Sequence, residues 1–434
     1  MLKTNTVIIG GGLAGLTAAA YLARAGQQVT ILEKSQTIGG RARTEIKHGF
    51  AFNFGPHALY RNADATPILR ELGVEFSGGI SDATGAYIID HGKKHTLPGG
   101  FVSLLTTSFL PLPAKLEAAR VLANFGKIDA AANAPLSVRA WLEQAIRHPS
   151  VRQLLQTLFR VATYAHDPEL QSAGAAIKQF QLGLADGVYY LDGGWQTLVH
   201  GLRQAAEKAG ARIQSAASVA SLERRGDKWE IQLANGESAA ASSVIIAASP
   251  ADAATLVKGG EATMLGEWAR AAIPVRAACL DIALAQLPAP HARFALGTDE
   301  PYYFSVHSAI AKLAPSNSAM IHVAKYLSAD SSDDARAIEQ ELEGVLELMQ
   351  PGWRELVIER RFLPRITVSH ALVTAKQGGL TGRPMPAVPG LAGLYVAGDW
   401  VGHEGQLADA SFASAKLAAA MILQTQARQP AAAA

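Results

Sequence analysis

The sharpest hydrophobic pattern lies near the start of the chain. Val7–Ile9 is an unbroken β-branched run, as expected of a strand buried on both faces. "LTAAAYLARAG" (16–26) then reads as a helix closed by Gly26, and "QVTILE" (28–33) as a second strand ending on Glu33. Further on, a helix over Trp195–Ala209 precedes "ARIQSAASVASLERR", a Gly226-Asp227 turn, "KWEIQL", an Asn235-Gly236 turn and the apolar strand "SVIIAAS". Ordinary turn chemistry brackets these as hairpin strands. "PVRAACLDIAL" (274–284) is another strand. Near the end, "LAGLYVAGD" gives a strand finishing at Gly398-Asp399, and "GHEGQLADASFASAKLAA" opens a helix around Leu407. "GFVSLLTTSFLPLP" (100–113), followed by "AKLEAARVLANF", is dense in apolar residues. A buried helix pair is the favoured reading there, and a membrane-surface patch or the mouth of a lipophilic pocket the alternative.

Composition narrows the class. The 434 residues exceed one ordinary hydrophobic core and predict two domains. With 49% hydrophobic and 18% charged residues the chain reads as a soluble globular enzyme. A net charge of +2 and the lack of a basic block argue against a nucleic-acid partner. The single cysteine, Cys279, excludes an internal disulfide and suits a reducing cytoplasm. The start "MLKTN" runs into a strand without a signal-type apolar region, and no stretch has the length of a spanning helix. A cytoplasmic protein, with peripheral membrane contact left open, is the expectation. The tail "QARQPAAAA" is expected to fray.

Chemistry enters between the first two strands, where Gly10, Gly12 and Gly15 form GxGxxG. Gly10 permits the tight turn, Gly12 lets backbone approach a pyrophosphate, and Gly15 allows the helix to pack closely on the strand. The helix start, with Leu13 and Ala14, offers free N–H groups to phosphates. Glu33, followed by Lys34, stands near the spacing expected of an acid on a ribose hydroxyl, and its charge disfavours NADP. "SQTIGGRARTE" next places Gly39, Gly40 and Arg41, two glycines and a guanidinium suited to a pyrophosphate.

At this point the sequence resembles the flavoprotein superfamily of amine oxidases, protoporphyrinogen oxidase and phytoene-type desaturases, with the match running from Val7 to Arg43. The resemblance implies FAD as cofactor and an α/β fold. A Rossmann-type FAD-binding domain like that of glutathione reductase (1–81, 189–260, 384–425) would be interleaved with an α+β substrate domain (82–188, 261–383). It places the loop Gly55-Pro56-His57 of "HGFAFNFGPHALY" near the isoalloxazine, with Asn53 where relatives often carry Asp. It also implies that Val219 meets adenine, that Gly398 and Asp399 hold the ribityl chain, and that the helix start at Gln406, Leu407 and Ala408 faces the flavin pyrimidine. No second GxGxxG follows, so a separate nicotinamide domain is not expected.

For the reaction, hydride transfer to flavin N5 is expected, with protein groups positioning the substrate. His57 and Trp400 are the catalytic candidates. Tyr189, Tyr190, Trp195, Tyr302, Tyr303 and Phe304 are candidate pocket aromatics. His166, His307, His322, His370 and His403 show no metal-ligand spacing, so no metal is assigned. No G-x-S-x-G elbow supports a hydrolase. Amine oxidases usually carry a lysine on the strand that here reads "PVRAACLDIAL", where only Arg276 occurs. "NFGPHALY" and "GDW" look closer to phytoene- and squalene-type desaturases, which implies a lipophilic, isoprenoid- or polyene-like substrate. Amine oxidation is the alternative. A non-catalytic escort protein for prenylated GTPases, which shares the fold without redox chemistry, is the remote one. Electron acceptor and oligomeric state are not specified.

Overall fold

Apolar runs with no polar face need neighbours on both sides, and the central sheet supplies them. In the computed structural model, which describes residues 2–3, 5–82, 84–332 and 334–428, Thr6–Ile9 is the middle strand of five. The order is Arg212–Gln214, Val29–Leu32, Thr6–Ile9, Ser243–Ile246 and Leu394–Val396, with every pairing parallel. Strand alternation then divides the core. Ile8, Ile31 and Ile245 face the helices Leu13–Arg24, Gln196–Lys208 and Leu407–Arg428. Val7, Ile9, Leu32, Val244 and Ile246 face the antiparallel ribbon Val219–Arg225, Lys228–Leu233 and Ser238–Ala241. The segment expected to lead straight into this ribbon is divided. Arg212–Gln214 stays in the parallel sheet, and the chain turns at Ala216, whose φ of 55° breaks the strand before Val219.

A second sheet of seven strands stands beside the first. Its order is Val357–Ser369, Val275–Leu284, Ala319–Leu327, Tyr302–Val306, Phe294–Gly297, Ala86–Asp90 and Lys93–Thr96. One face packs on helix Ala335–Met349. The other carries Ala277, Cys279, Tyr303 and Tyr326 toward the first sheet and the helical layer. That layer comprises Val138–Ala145, Pro149–Thr163 and Ala173–Asp186, closed around Phe125, Trp141, Phe159 and Phe180. The rings of Phe125 and Phe180 meet edge-on, with centroids 4.9 Å apart.

The apolar segment near residue 100 departs from the favoured expectation of a buried pair. It forms helices Phe101–Thr106 and Leu112–Asn124, which bury Leu104, Leu110, Ala114 and Ala118 but leave Phe101, Val102, Leu105, Leu112 and Leu116 exposed. No helix among the described residues is long and apolar enough to cross a membrane. Residues 429–434 of the tail expected to fray lie outside the described residues; helix Leu407–Arg428 runs up to them.

Helix Leu13–Arg24 meets the strand beneath it so closely that a Cβ on Gly15 would lie 1.9 Å from the Gly10 carbonyl oxygen. Backbone cannot yield as a flexible side chain can. Gly15→Ala is therefore expected to destabilise the fold by about 1–3 kcal/mol through overpacking. Thermal melting of the variant checks this, and an unchanged midpoint would contradict it.

Candidate functional site

The carboxyl ends of Thr6–Ile9, Val29–Leu32, Ser243–Ile246 and Leu394–Val396 all open onto one cavity of about 700 Å³. Ligands of parallel sheets bind at this edge, because helix N-termini and loop N–H groups converge there. The glycine turn lines it with Gly10, Gly12, Leu13 and Ala14, and the second strand with Glu33 and Lys34. Gly40, Arg41, Pro56, His57 and Val219 line it too, as do Gly398, Asp399, Leu407 and Ala408. Gly10 adopts φ 107°, and a Cβ there would meet the Ala247 carbonyl oxygen at 2.5 Å. Only glycine fits this turn. The buried Glu33 carboxylate accepts from Gly11 N at 2.7 Å and from Ser35 N at 2.8 Å, tying the turn to the strand end.

Three segments meet at Asp399. Its carboxylate accepts from Arg41 Nη1 at 2.7 Å and from the His370 backbone N–H at 3.2 Å. It also lies 3.1 Å from His370 Nδ1. Burial would raise this carboxyl's pKa, but Arg41 and His370 override that and hold it well below the usual carboxylate range. Arg383 clamps the same loop from behind, donating to Asp399 O at 3.1 Å, Glu404 O at 2.9 Å and Gly405 O at 2.8 Å. Leu407 opens the last helix with φ 54°, a left-handed conformation that costs a non-glycine residue on the order of 1–3 kcal/mol.

Some sequence candidates are elsewhere. Gly15 and Gly55 do not line the cavity; they serve close packing, Gly55 against Cys279 Sγ and Ile366 Cδ1. Gln406 turns away, donating to Ala175 O at 2.9 Å, so it secures helix Ala173–Asp186 rather than the cavity. Trp400, a catalytic candidate, is buried on the far side of the sheet. Its indole donates to Ala248 O at 2.9 Å and packs on Trp268, so it does not face the cavity. His403 contacts Arg383 O outside the cavity wall. Tyr190 stacks on His307 with centroids 3.9 Å apart, and Tyr303 OH lies 3.0 Å from His307 Nε2; neither lines the cavity. Asn53 is an internal brace, accepting from Thr44 Oγ1 at 2.7 Å and Trp195 N at 3.0 Å.

His57 does line the cavity, its ring between two carbonyls, Gly55 O at 3.0 Å from Nδ1 and Arg41 O at 3.2 Å from Nε2. Burial pushes its pKa down to about 4, against the raising effect of those carbonyls. At neutral pH the ring is uncharged and has one N–H for two acceptors. Trp195 lies against it at 5.0 Å, and its indole Nε1 has no hydrogen-bond partner among the described residues.

The opposite wall comes from residues with no local signature. Ala277 and Cys279 alternate along Val275–Leu284, and Ile366, Thr367 and Val368 come from Val357–Ser369. Burial raises the Cys279 thiol well above its usual pKa, so it faces the cavity protonated. Tyr164, at φ 61° just after helix Pro149–Thr163, donates to Pro56 O at 3.1 Å. Its left-handed helix end gave no sequence signal, since glycine or asparagine normally marks one.

These features fit a dinucleotide-type cofactor. The glycine turn and helix start suit a pyrophosphate, Glu33 a ribose, and the unpartnered Trp195 Nε1 is a donor awaiting an acceptor. Residues 13–423 match the family described as flavin containing amine oxidoreductase. A carotenoid 3,4-desaturase of Haloarcula japonica is 26% identical over 57% of this chain and 56% of its own. A 4,4'-diapophytoene desaturase (4,4'-diaponeurosporene-forming) of Staphylococcus haemolyticus is 28% identical over 49% of this chain and 48% of its own. An L-amino acid oxidase of Crotalus durissus cumanensis is 53% identical, over 21% of this chain and 18% of its own. The chain thus spans about half the length of the curated desaturases it matches. Among solved structures, an oxidoreductase from Methanosarcina mazei superposes with TM-score 0.75 at 18% identity, over 97% of this chain and 100% of that one. Cyclohexylamine oxidase from Brevibacterium oxydans gives 0.72 at 16%, over 98% and 100%. At such identities the likeness speaks for the fold alone.

Asp399→Asn removes the charge that balances Arg41. A carboxyl held low in the folded state stabilises above its unfolded pKa, and this is lost progressively as pH falls below about 4. The variant is expected to be less stable by on the order of 1–3 kcal/mol at neutral pH, the gap constant down to about pH 4 and narrowing by about 1 kcal/mol on reaching about pH 3. Melting curves across that range check it; a gap independent of pH would contradict it.

Proposed function

Since this chain belongs to the flavin-containing amine oxidoreductase family and takes FAD as its cofactor, we propose that it dehydrogenates an apolar, isoprenoid- or polyene-like substrate. FAD, when bound, supplies the hydride acceptor at N5. In this reading Gly10, Gly12 and the start of helix Leu13–Arg24 receive the pyrophosphate, with Glu33 on the adenosine ribose and Val219 on adenine. Lys34, Gly40 and Arg41 flank the phosphates, while Gly398, Asp399, Leu407 and Ala408 take the ribityl and pyrimidine end. Pro56 and His57 border the ring, with Trp195 beside them.

The observation that carries the substrate class is the wall built by Ala277, Cys279, Ile366 and Val368. On Val275–Leu284, where an amine oxidase would present a lysine, the cavity side shows a methyl group and a protonated thiol, and Arg276 is not among the lining residues. An ammonium desolvated against this wall would find no carboxylate there, whereas a hydrocarbon loses nothing. His57, uncharged above about pH 4, adds no cation to the same space. Tyr164 braces the His57 loop through Pro56 O, and exclusion of water by the apolar wall favours hydride transfer over side reactions. Amine oxidation stands as the second reading, supported by the short L-amino acid oxidase match and by Tyr164 and Trp195 as aromatic walls. An escort-type role without redox chemistry finds no support, since the glycine turn, Glu33, Arg41 and Asp399 all meet at one cavity.

Anaerobic mixing with a panel of polyenes, isoprenoids and simple amines separates the two. Loss of the flavin's visible absorbance is expected to be faster with an apolar chain by roughly tenfold or more. Faster bleaching by simple amines would overturn the assignment. Glu33→Ala is expected to release FAD on dialysis more readily than the parent; full retention would refute its role at the ribose.

A further inference from the structure

His370 follows the end of strand Val357–Ser369 and lines the cavity beside Arg41 and Asp399. Backbone contacts fix its place. Leu372 N donates to Ile273 O at 2.7 Å, and Arg41 Nη1 donates to Val368 O at 2.7 Å. The seven-stranded sheet thus delivers an imidazole to the glycine-turn side of the cavity, and none of the cofactor contacts given above uses it.

Asp399 depends on few donors. Its side chain is 2% exposed. Among the described residues, its carboxylate meets Arg41 Nη1, the His370 backbone N–H and the His370 ring. Arg383, the other guanidinium at this loop, donates to the backbone carbonyls of Asp399, Glu404 and Gly405 instead. Removing one partner from a buried carboxylate is costly, because the charge left behind has no water to turn to. Arg41 is placed differently: its side chain is 40% exposed and lines the cavity. A guanidinium so placed is open to a second anion.

The His370 ring has two claimants at one atom. Nδ1 lies 3.1 Å from Asp399 Oδ1 and 3.2 Å from Arg41 Nη2. A neutral imidazole carries its proton on one nitrogen only. With Nδ1 bare, it accepts from Arg41 and turns a lone pair toward the carboxylate. With Nδ1 protonated, it donates to Asp399 and opposes an N–H of Arg41. One nitrogen cannot satisfy both. An anion on Arg41 Nη2 removes the conflict, since it accepts from the guanidinium and leaves Nδ1–H to Asp399.

We propose that His370 is a positioning residue for the cofactor: when Arg41 Nη2 serves the diphosphate of FAD, His370 Nδ1–H takes over Asp399 and keeps it paired and aimed at the ribityl chain. The proposal rests on the diphosphate lying beside Arg41, as proposed above.

Release of FAD from the loaded protein after dilution, followed by the rise in flavin fluorescence, tests it without reference to turnover. His370→Ala is expected to release FAD about tenfold faster, through loss of a charge-assisted hydrogen bond. His370→Asn, whose side-chain amide can donate to Asp399 in place of Nδ1–H, should stay within about threefold of the parent. In an Asp399→Asn background, His370→Ala should add less than about twofold, because no carboxylate remains to be held. Nitrogen NMR of the loaded protein with labelled histidine should show His370 protonated at Nδ1. Equal release by the parent and the alanine variant overturns the proposal. So do equally fast alanine and asparagine variants, which would make the ring a space-filler, a loss undiminished in the Asp399→Asn background, or a bare Nδ1. Arg41→Gln separates the premise from the inference. Unchanged release by that variant removes the diphosphate from Arg41, whereas fast release by it beside a silent His370→Ala refutes the role of His370 alone.

Discussion

The buried parallel pairing of Thr6–Ile9 with Val29–Leu32 on one side and Ser243–Ile246 on the other is the constraint on which the site depends. A parallel neighbour can be reached only by a crossover, so each added strand delivers a new loop to the same edge. That edge gathers the glycine turn, Glu33, Ala247–Ser249 and Gly398-Asp399 although they are spread over nearly the whole chain. The Arg41–Asp399 pair, 358 residues apart in sequence, is a consequence of this convergence. It also shows why buried charge is tolerated here: Asp399 has a guanidinium, an imidazole and a backbone N–H around it.

The glycine-turn end of the cavity was legible in the sequence because its signals are local. Gly10, Gly12 and Glu33 act through backbone geometry and spacing within a single strand–helix–strand unit, which any chain carrying that pattern must reproduce. Side-chain direction was not legible in the same way. Trp400 and Gln406 neighbour cavity-lining residues but point to Ala248 O and Ala175 O, partners supplied by distant segments. The opposite wall was invisible for a related reason. Ala277, Cys279, Ile366 and Val368 are unremarkable residues in long strands, and only the register of the antiparallel sheet decides that they face inward. Tyr164 and His370 belong to no motif, and tertiary packing alone brings them to the cavity.

A buried polar cluster behind that wall ties the seven-stranded sheet to the strand Phe50–Asn53 of a separate hairpin. Asp281, two residues beyond Cys279 on the same strand, lies 2.6 Å from His322 Nδ1 and accepts from Arg361 Nη2 at 2.7 Å. Arg361 Nη2 also donates to the backbone carbonyl of Asn53. Asn53 in turn braces Trp195 N, so a chain of contacts runs from the seven-stranded sheet to the residues around His57. A buried carboxylate with a guanidinium and an imidazole contributes little net stability over an apolar core of equal volume. Its use here is directional. It fixes the segment preceding Gly55-Pro56-His57 relative to Val275–Leu284, the strand that supplies Ala277 and Cys279. Hydride transfer needs donor carbon and acceptor held within a few tenths of an ångström of contact geometry, and a loop held only by apolar packing would not supply that. The polar cluster is therefore the device that sets the distance between the Gly55-Pro56-His57 side and the Ala277 and Cys279 side of one cavity.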